Sequence, residues 1–297
     1  MEIRLGTRGS KLALAQAQQI QALLSKAYPM HCFTLHTIVT YGDQNTETPL
    51  HQMSTSGVFV KEIEKRLYAK EIDIAVHSMK DLPAQLSEGL CLADTILRED
   101  SRDVLISKHH KSLMELPSHA HIATGSKRRK AQLLKLRDDL IIEGIRGNID
   151  TRLQLMQERN LDGIVVAAAA IHRLQKQDMI AMYFSQEDMV PAVCQGAIAL
   201  EIREQDTELK AMLHTLSHEQ IHQEIEVERH FLQLMNGGCH TPMGARCHIT
   251  EQIELLCLYG NDDATLLEKK LFTAPLKDKE QIAISAAAYM KERFLHE

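Results

Sequence analysis

Tryptophan is absent from the 297 residues, and aromatics as a whole make up only 4%. Stacking platforms for single-stranded nucleic acid are therefore poorly supplied. Positive charge is also in deficit: 34 Lys and Arg stand against 40 Asp and Glu, a formal net charge of −6. That balance argues against non-specific binding of nucleic acid or an anionic membrane by the whole molecule, so any anion site must be local. No apolar run approaches the roughly 18 residues that span a bilayer. Met1-Glu2-Ile3-Arg4-Leu5-Gly6 lacks a basic region followed by an apolar one, and no signal peptide is expected. The six cysteines, at 32, 91, 194, 239, 247 and 257, form no C-x-x-C pair. Without a secretion signal they read as reduced thiols, and the chain is expected to be cytoplasmic.

What is present is ordinary for a globular protein, with 44% hydrophobic and 25% charged residues. The length supports two or three domains. Ile3 and Leu5 alternate with polar neighbours as in a strand, and a helical pattern then runs from Lys11 to about Ala27. Ser10 is a good N-cap. Phe33 to Thr40 reads as a strand, Phe59 to Lys70 as an amphipathic helix, and Ile72 to Val76 as a strand. The polar stretch 41–57 between them is long enough to suggest a lid or binding loop. A second α/β segment starts near Arg98, with strands expected at Asp103–Ile106, His121–Thr124, Ile141–Ile145 and Gly163–Ala167. Ala197–Ile202 is another strand, followed by a helix to about Leu216.

Charge gathers where strands give way to helices. Arg8-Gly9-Ser10 puts a cation beside the free N–H groups of a helix start, an arrangement suited to anions and equally to an ordinary turn. Lys80 and Asp81 follow the strand ending near Val76, at the carboxyl end where open α/β sheets bind ligands. Taken alone, Asp81 also reads as a turn cap ahead of Pro83. Thr124-Gly125-Ser126-Lys127-Arg128-Arg129 and Arg146-Gly147-Asn148 with Arg152 sit at later junctions, and Arg173 lies further on. From Lys127 to Arg152 there are eight Lys and Arg against four acids. The Lys127–Lys130 run by itself reads as a solvated face, but basics recurring at successive junctions should collect at one sheet edge.

The last third carries Asn236-Gly237-Gly238-Cys239-His240-Thr241-Pro242, a thiol on a loop that is neither helix nor strand. On local grounds it reads as well as a tight turn with an incidental cysteine. A helix from His218 to Leu234 precedes it, started by a Ser217–Gln220 capping box and ended by the glycines. That break separates His214 from His218 and His222, so no metal site is expected. Strands at Ala245–Thr250, Ile253–Leu258 and Leu266–Phe272 and a helix from about Asp278 to Leu295 complete a small α/β domain.

Taken in order, these motifs resemble the porphobilinogen deaminase (hydroxymethylbilane synthase) family. The residues that carry the resemblance are Thr7-Arg8-Gly9-Ser10 with Gln16, Phe59-Val60-Lys61-Glu62, Ala75-Val76-His77-Ser78-Met79-Lys80-Asp81 and Arg98-Glu99-Asp100-Ser101-Arg102-Asp103. They continue with Ser126 and Arg128-Arg129, Arg146-Gly147-Asn148 with Arg152, Pro191-Ala192-Val193 with Gln195-Gly196, and Gly237-Gly238-Cys239. The resemblance covers nearly the whole chain. It implies two doubly wound lobes like those of periplasmic binding proteins, with a small C-terminal α/β domain carrying a cofactor. The implied domains are 1–96 with 197–216 returning to it, an arginine-rich lobe at 97–196, and 217–297 with the cysteine loop.

The resemblance also implies a reaction. A dipyrromethane cofactor is attached to Cys239 by a thioether bond, and four porphobilinogen units are added in turn, each losing ammonia, before hydroxymethylbilane is released. Each pyrrole carries two carboxylates, so the growing chain is a polyanion. Arg8, Arg128, Arg129, Arg146, Arg152 and Arg173 match the family's carboxylate-binding arginines, which pair bidentately and stay charged. Ser10, Lys80, Thr124 and Ser126 match supporting contacts, and Gln16, Phe59 and Gln195 are further candidate contacts. Asp81 matches the catalytic aspartate, whose charge stabilises cationic species formed as ammonia leaves. The expected partners are porphobilinogen and its oligomers, with no nucleic acid or membrane, and the chain is expected to act as a monomer. There are departures. Ser54-Thr55-Ser56-Gly57 stands where the family usually has Gly-Gly-Lys-Gly, Gln52 where a lysine is common, and Cys194 and Ala170 where glycine is usual. A two-lobed, non-catalytic anion-binding module is the alternative reading, but it needs neither the Gly-Gly-Cys loop nor a third domain.

Overall fold

The computed structural model describes residues 2–39, 58–237, 241–261 and 266–294. In chain order the elements begin with β1 (Glu2–Arg8), α1 (Lys11–Ala27), β2 (Cys32–Ile38), α2 (Val58–Tyr68), β3 (Ile74–Ser78) and β4 (Leu90–Leu92). The next are β5 (Asp103–Ser107), β6 (His121–Ala123), α3 (Lys127–Leu136), β7 (Ile141–Glu143), α4 (Ile149–Glu158), β8 (Gly163–Ala167), α5 (Ala168–Arg173) and β9 (Met182–Tyr183). The remaining ones are β10 (Ile198–Arg203), α6 (Thr207–His214), α7 (Glu219–Met235), β11 (Met243–Ile249), β12 (Ile253–Gly260), β13 (Leu267–Ala274) and α8 (Lys279–Phe294). These fall into two compact units, Met1–Arg98 with Ala197–His222 and Glu99–Gly196 with Gln223–Glu297.

In the first unit a five-stranded sheet runs β2-β1-β3-β10-β4. Strands β1, β2 and β3 are parallel, and β10 is antiparallel to both of its neighbours. One face packs Ile3, Leu5, Ile74, Val76, Ile198 and Leu200 against Ala17, Ile20 and Leu24 of α1 and Leu213 of α6. The other face packs Ile38, Ala75 and Leu90 against Ile63 and Leu67 of α2. Alternate residues serve opposite faces, as the strand period requires. Near-continuous apolar strands mark a sheet covered on both sides.

The second unit repeats the plan. Its five-stranded sheet runs β7-β6-β8-β5-β9, with β6, β7 and β8 parallel and β5 antiparallel. Val104, Ile106, Ile164 and Val166 face Met156 of α4 and Ile171 of α5. Leu105, Ile122 and Val165 face Leu133 of α3 together with Phe184 and Met189. In both sheets the fourth position is an antiparallel strand that the chain enters after leaving the other lobe. Both lobes are therefore doubly wound, and β10 does return to the first sheet.

The crossing leaves a demanding backbone position. Gly196 has φ +91°, and a Cβ there would lie 2.1 Å from the Glu99 carbonyl oxygen. Only glycine tolerates that combination of conformation and approach. The Glu99 N–H donates to the Gly196 carbonyl at 3.1 Å. Cys194, where the family usually has glycine, also takes a left-handed conformation, at φ 59°.

The C-terminal domain is an antiparallel β11-β12-β13 sheet against α8, which buries Ile282, Ala283, Ala286, Ala287 and Met290. Two glutamates four residues apart on α7 are buried here. Glu228 accepts the N–H groups of Cys194 at 2.7 Å and Cys247 at 2.8 Å, and Glu224 accepts that of Ile249 at 3.1 Å. Arg246 lies 2.8 Å from Glu224 and 3.4 Å from Glu228. The α7 limits fall within one residue of the sequence reading. The Ser217 N–H closes the end of α6 on His214, and the Ile221 N–H turns to the His218 ring. At the other end Asn236, at φ 48°, takes the left-handed position, a role that asparagine tolerates next best to glycine. Gly237 lies close to Met243, whose Cε would be 2.3 Å from an added Cβ, a contact that the flexible end of that side chain can relieve. Two short strands, β4 and β9, were not legible in the sequence.

Candidate active site

In the first lobe, the candidate residues follow two strand ends. β1 and β3 are parallel neighbours, so their carboxyl ends lie at one sheet edge. After β1, Ser10 caps α1, its Oγ accepting the Ala13 N–H at 3.3 Å. Arg8 is half-buried beside that helix start. After β3, Ser78 donates its hydroxyl to Gln16 Oε1 at 3.0 Å, which fixes the strand end and holds Gln16 buried. The chain then makes one 3-10 turn, Met79–Asp81, anchored by the buried Met79. Lys80 is half-buried, whereas Asp81 is exposed and has no hydrogen-bond or ion-pair partner among the described residues. The contrast with Asp73, just before β3 at its other end, is direct. Asp73 is gripped by Arg4 at 3.0 Å and Arg203 at 3.1 Å. Burial works to raise its carboxyl, but these partners outweigh that and hold it below the usual range.

The second lobe collects its basics at the corresponding edge, as the junction spacing predicts. Ser126 caps α3, and its N–H donates to Thr124 Oγ1 at 3.2 Å. Thr124 is itself buried. Asn148 caps α4, accepting the Thr151 N–H at 2.9 Å. Arg146 is exposed, and the half-buried Arg152 donates to the Gly147 carbonyl at 2.8 Å. Arg173, at the end of α5, donates to the Gly196 carbonyl at 2.8 Å. Burial pulls the Arg173 guanidinium down to about 10, against the opposing charge of Glu99.

Arg128 and Arg129 depart from a solvated face: only 4% and 6% of their surface is exposed. Both turn onto Asp103, the first residue of β5, which is fully buried beside Ala167. Arg129 holds Asp103 Oδ1 through Nη2 at 2.7 Å and Nε at 3.1 Å. Arg128 Nη1 approaches Oδ2 at 2.9 Å, a charge contact rather than an aligned hydrogen bond, and also donates to the Val190 carbonyl. Gln195, fully buried, donates Nε2 to Asp103 Oδ1 at 2.8 Å and to the Ser101 carbonyl at 2.8 Å. Burial works to raise the Asp103 carboxyl, but the two guanidinium groups outweigh it and hold it far below the carboxylate range. Two guanidinium groups against one carboxylate leave this cluster with net positive charge.

Asp103 is the residue that sequence reasoning missed. It stood within the Arg98–Asp103 motif, but its partners lie 25 or more positions away. His214 and His222 both reach Asp94, at 2.5 Å and 3.5 Å, and among the described residues no group of side chains suits a metal. Cys239 and the expected loop 41–57 lie outside the described residues, as does the Phe59 side chain.

Two doubly wound α/β lobes, with capped helix starts and arginines at their strand ends, and a further small α/β domain define the class of protein. Comparison with known proteins narrows the class. Residues 3–211 match the family model "Porphobilinogen deaminase, dipyromethane cofactor binding domain", and residues 222–292 match "Porphobilinogen deaminase, C-terminal domain". The chain is 44% identical to a porphobilinogen deaminase of Lachnospira eligens, over 97% of its own length and 98% of the relative's. It is 42% identical to that of Clostridioides difficile, covering 99% and 98% respectively, and 41% identical to that of Bacillus subtilis, covering 98% and 93%. Among solved structures, the methionine-binding protein MetQ aligns over 72% of this chain and 89% of its own, at 15% identity and a TM-score of 0.45. The chain belongs to the porphobilinogen deaminase family.

Proposed function

We propose that Asp81, Cys239 and the basic groups at the two sheet edges carry out the family's reaction in this chain. The enzyme is a hydroxymethylbilane synthase, a transferase of tetrapyrrole (haem) biosynthesis. It joins porphobilinogen units head to tail, with loss of ammonia, on a covalently held dipyrromethane. That cofactor, bound through Cys239, supplies the primer from which the chain grows.

The residues present fit a group that bears several carboxylates. Arg8 and the capped start of α1 offer a guanidinium and free N–H groups in one lobe. Thr124, Ser126, Arg146, Arg152 and the partly desolvated Arg173 offer the same in the other. A guanidinium that burial has already stripped of water gains more from a carboxylate than an exposed one does. Arg128 and Arg129 contribute net positive charge through their pairing with Asp103. Gln195 acts through Asp103, and Gln16 through Ser78, as positioning groups. Phe59 stays a candidate contact beside them.

One observation carries this reading: Asp81 is exposed beside Lys80 and unpartnered among the described residues, while Asp73 and Asp103 are locked by arginines. A turn-capping role would engage the carboxylate with nearby N–H groups. A carboxylate left open can instead stabilise positive charge as ammonia leaves the substrate methylene carbon, a term that exists mainly in the transition state.

The protein is further read as a cytoplasmic monomer of three domains, 1–96 with 197–216, 97–196 and 217–297. Among the described residues no helix is long and apolar enough to cross a membrane, and the described cysteines are free thiols.

The test is the intact mass of the purified protein beside a Cys239→Ser control. An added mass of two pyrrole units, absent from the control, is expected. If the Cys239→Ser protein carries the same addition, the attachment reading is wrong.

A further inference from the structure

His172 and Arg173 are consecutive at the end of α5, and only Arg173 entered the reading above. His172 sits in a chain of side chains within the second lobe. Its Nδ1 lies 3.1 Å from Glu99 Oε1, and its Nε2 lies 2.8 Å from the Tyr183 hydroxyl. The same Glu99 oxygen accepts the Asp100 N–H at 2.9 Å. Glu99 is tied through its backbone to Gly196, the residue whose carbonyl receives Arg173. Glu99 thus carries charge toward both His172 and Arg173. Burial works to raise its carboxyl, but the Asp100 N–H, the His172 ring and the Arg173 charge together hold it below the usual range.

We propose that Glu99 tunes the charge that Arg173 presents to a substrate carboxylate, and that protonation of His172 switches this tuning. The proposal rests on the reading of Arg173 as a carboxylate ligand. A neutral His172 ring donates from Nδ1 to Glu99 and accepts the Tyr183 O–H at Nε2, leaving the Glu99 charge to offset Arg173. A protonated ring neutralises Glu99, and the Tyr183 hydroxyl rotates so that its oxygen accepts from Nε2. Arg173 then attracts carboxylate more strongly. The charged groups around the ring are balanced. Glu99 and Asp100 favour its protonation, while Arg173 and Arg102, whose guanidinium lies 4.4 Å from the centre of the Tyr183 ring, oppose it. The carboxylates and aliphatic amine of porphobilinogen titrate outside pH 6 to 8.5.

The experiment measures KM and kcat for porphobilinogen against pH, on protein whose cofactor loading has been checked by mass. In the wild type, KM is expected to rise about three- to tenfold from pH 6 to pH 8.5, the scale of one partly buried charge pair, with kcat moving less than twofold. His172→Gln should hold KM at the alkaline value throughout, and Glu99→Gln should hold it at the lower, acid value. Tyr183→Phe should keep the pH dependence, because the His172 ring still faces Glu99. A merely structural role for these residues would lower the melting temperature and leave the shape of the KM profile alone. The proposal is overturned if His172→Gln keeps the wild-type profile, or if Glu99→Gln raises KM. Arg173→Leu separates the two levels. An unchanged KM in that variant would remove Arg173 as a ligand and the switch with it. A raised KM, together with an unaltered profile in His172→Gln, would remove the switch alone.

Discussion

Asp81 and Asp103 occupy corresponding edges of two sheets with the same strand order, and they are used in opposite ways. Asp81 follows β3, the third strand of its lobe, and faces solvent without a partner among the described residues. Asp103 opens β5 next to the end of β8, the third strand of the other lobe, and is fully buried under two arginines and a glutamine. One edge leaves an anion open, so that developing positive charge can meet it. The other edge ties an anion down, so that cations are held in place. A motif scan gives both aspartates the same weight; their surroundings differ, one open and one locked.

Substitutions should break the pair apart. Asp103→Asn removes the carboxylate that pairs with both Arg128 and Arg129 and leaves buried, poorly paired guanidinium groups. It should lower unfolding stability by about 3–5 kcal/mol, measured by urea denaturation. A loss below about 1 kcal/mol would mean that the arginines find other partners. Arg173→Leu, which deletes a ligand without removing a lock, should raise KM for porphobilinogen about ten- to a hundredfold, while cooperative unfolding persists.

The pH dependence of stability sharpens the comparison. Asp103 is held below its ordinary range, so its contribution is present above the unfolded carboxylate value, about pH 4. It is lost only as the pH falls through the native value, far into acid. Asp73 does the same in the first lobe, through Arg4 and Arg203. Acid unfolding of wild type should therefore steepen below about pH 4, and Asp103→Asn should flatten that slope. An identical slope in the variant would contradict the assignment. The smallest effect belongs to the caps: Ser126→Ala should cost about 1 kcal/mol, by removing the acceptor of the Arg129 N–H.

Much of this was legible in the sequence, and the exceptions have physical reasons. The helix over Lys11–Ala27 and the strand over Gly163–Ala167 match their expected limits, because strong periodicity and a cap or turn defined both ends. The gathering of basics at one edge followed from their recurrence at parallel-strand ends. Burial of Arg128 and Arg129 was not legible. A Lys-Arg-Arg-Lys run looks solvated until a carboxylate from a distant strand is placed beneath it. The C-terminal cap of α7 was misread for a similar reason: several residues can fill a cap, and packing decides which does. Gly237 looked like the conformational glycine of this turn, whereas the left-handed position falls on Asn236. The Glu99–His172–Tyr183 chain joins three separate segments, and no local spacing announces it.

The most direct test of the central claim is the turnover of cofactor-loaded Asp81→Asn. Because Asp81 is exposed and has no partner among the described residues, the variant should keep the wild-type melting temperature and the mass of its bound pyrroles. Its kcat should nevertheless fall about 10²- to 10³-fold, the scale of removing one preorganised electrostatic contact. Near-normal turnover in that variant would contradict the account, since the open carboxylate of the first lobe would then have no chemical role.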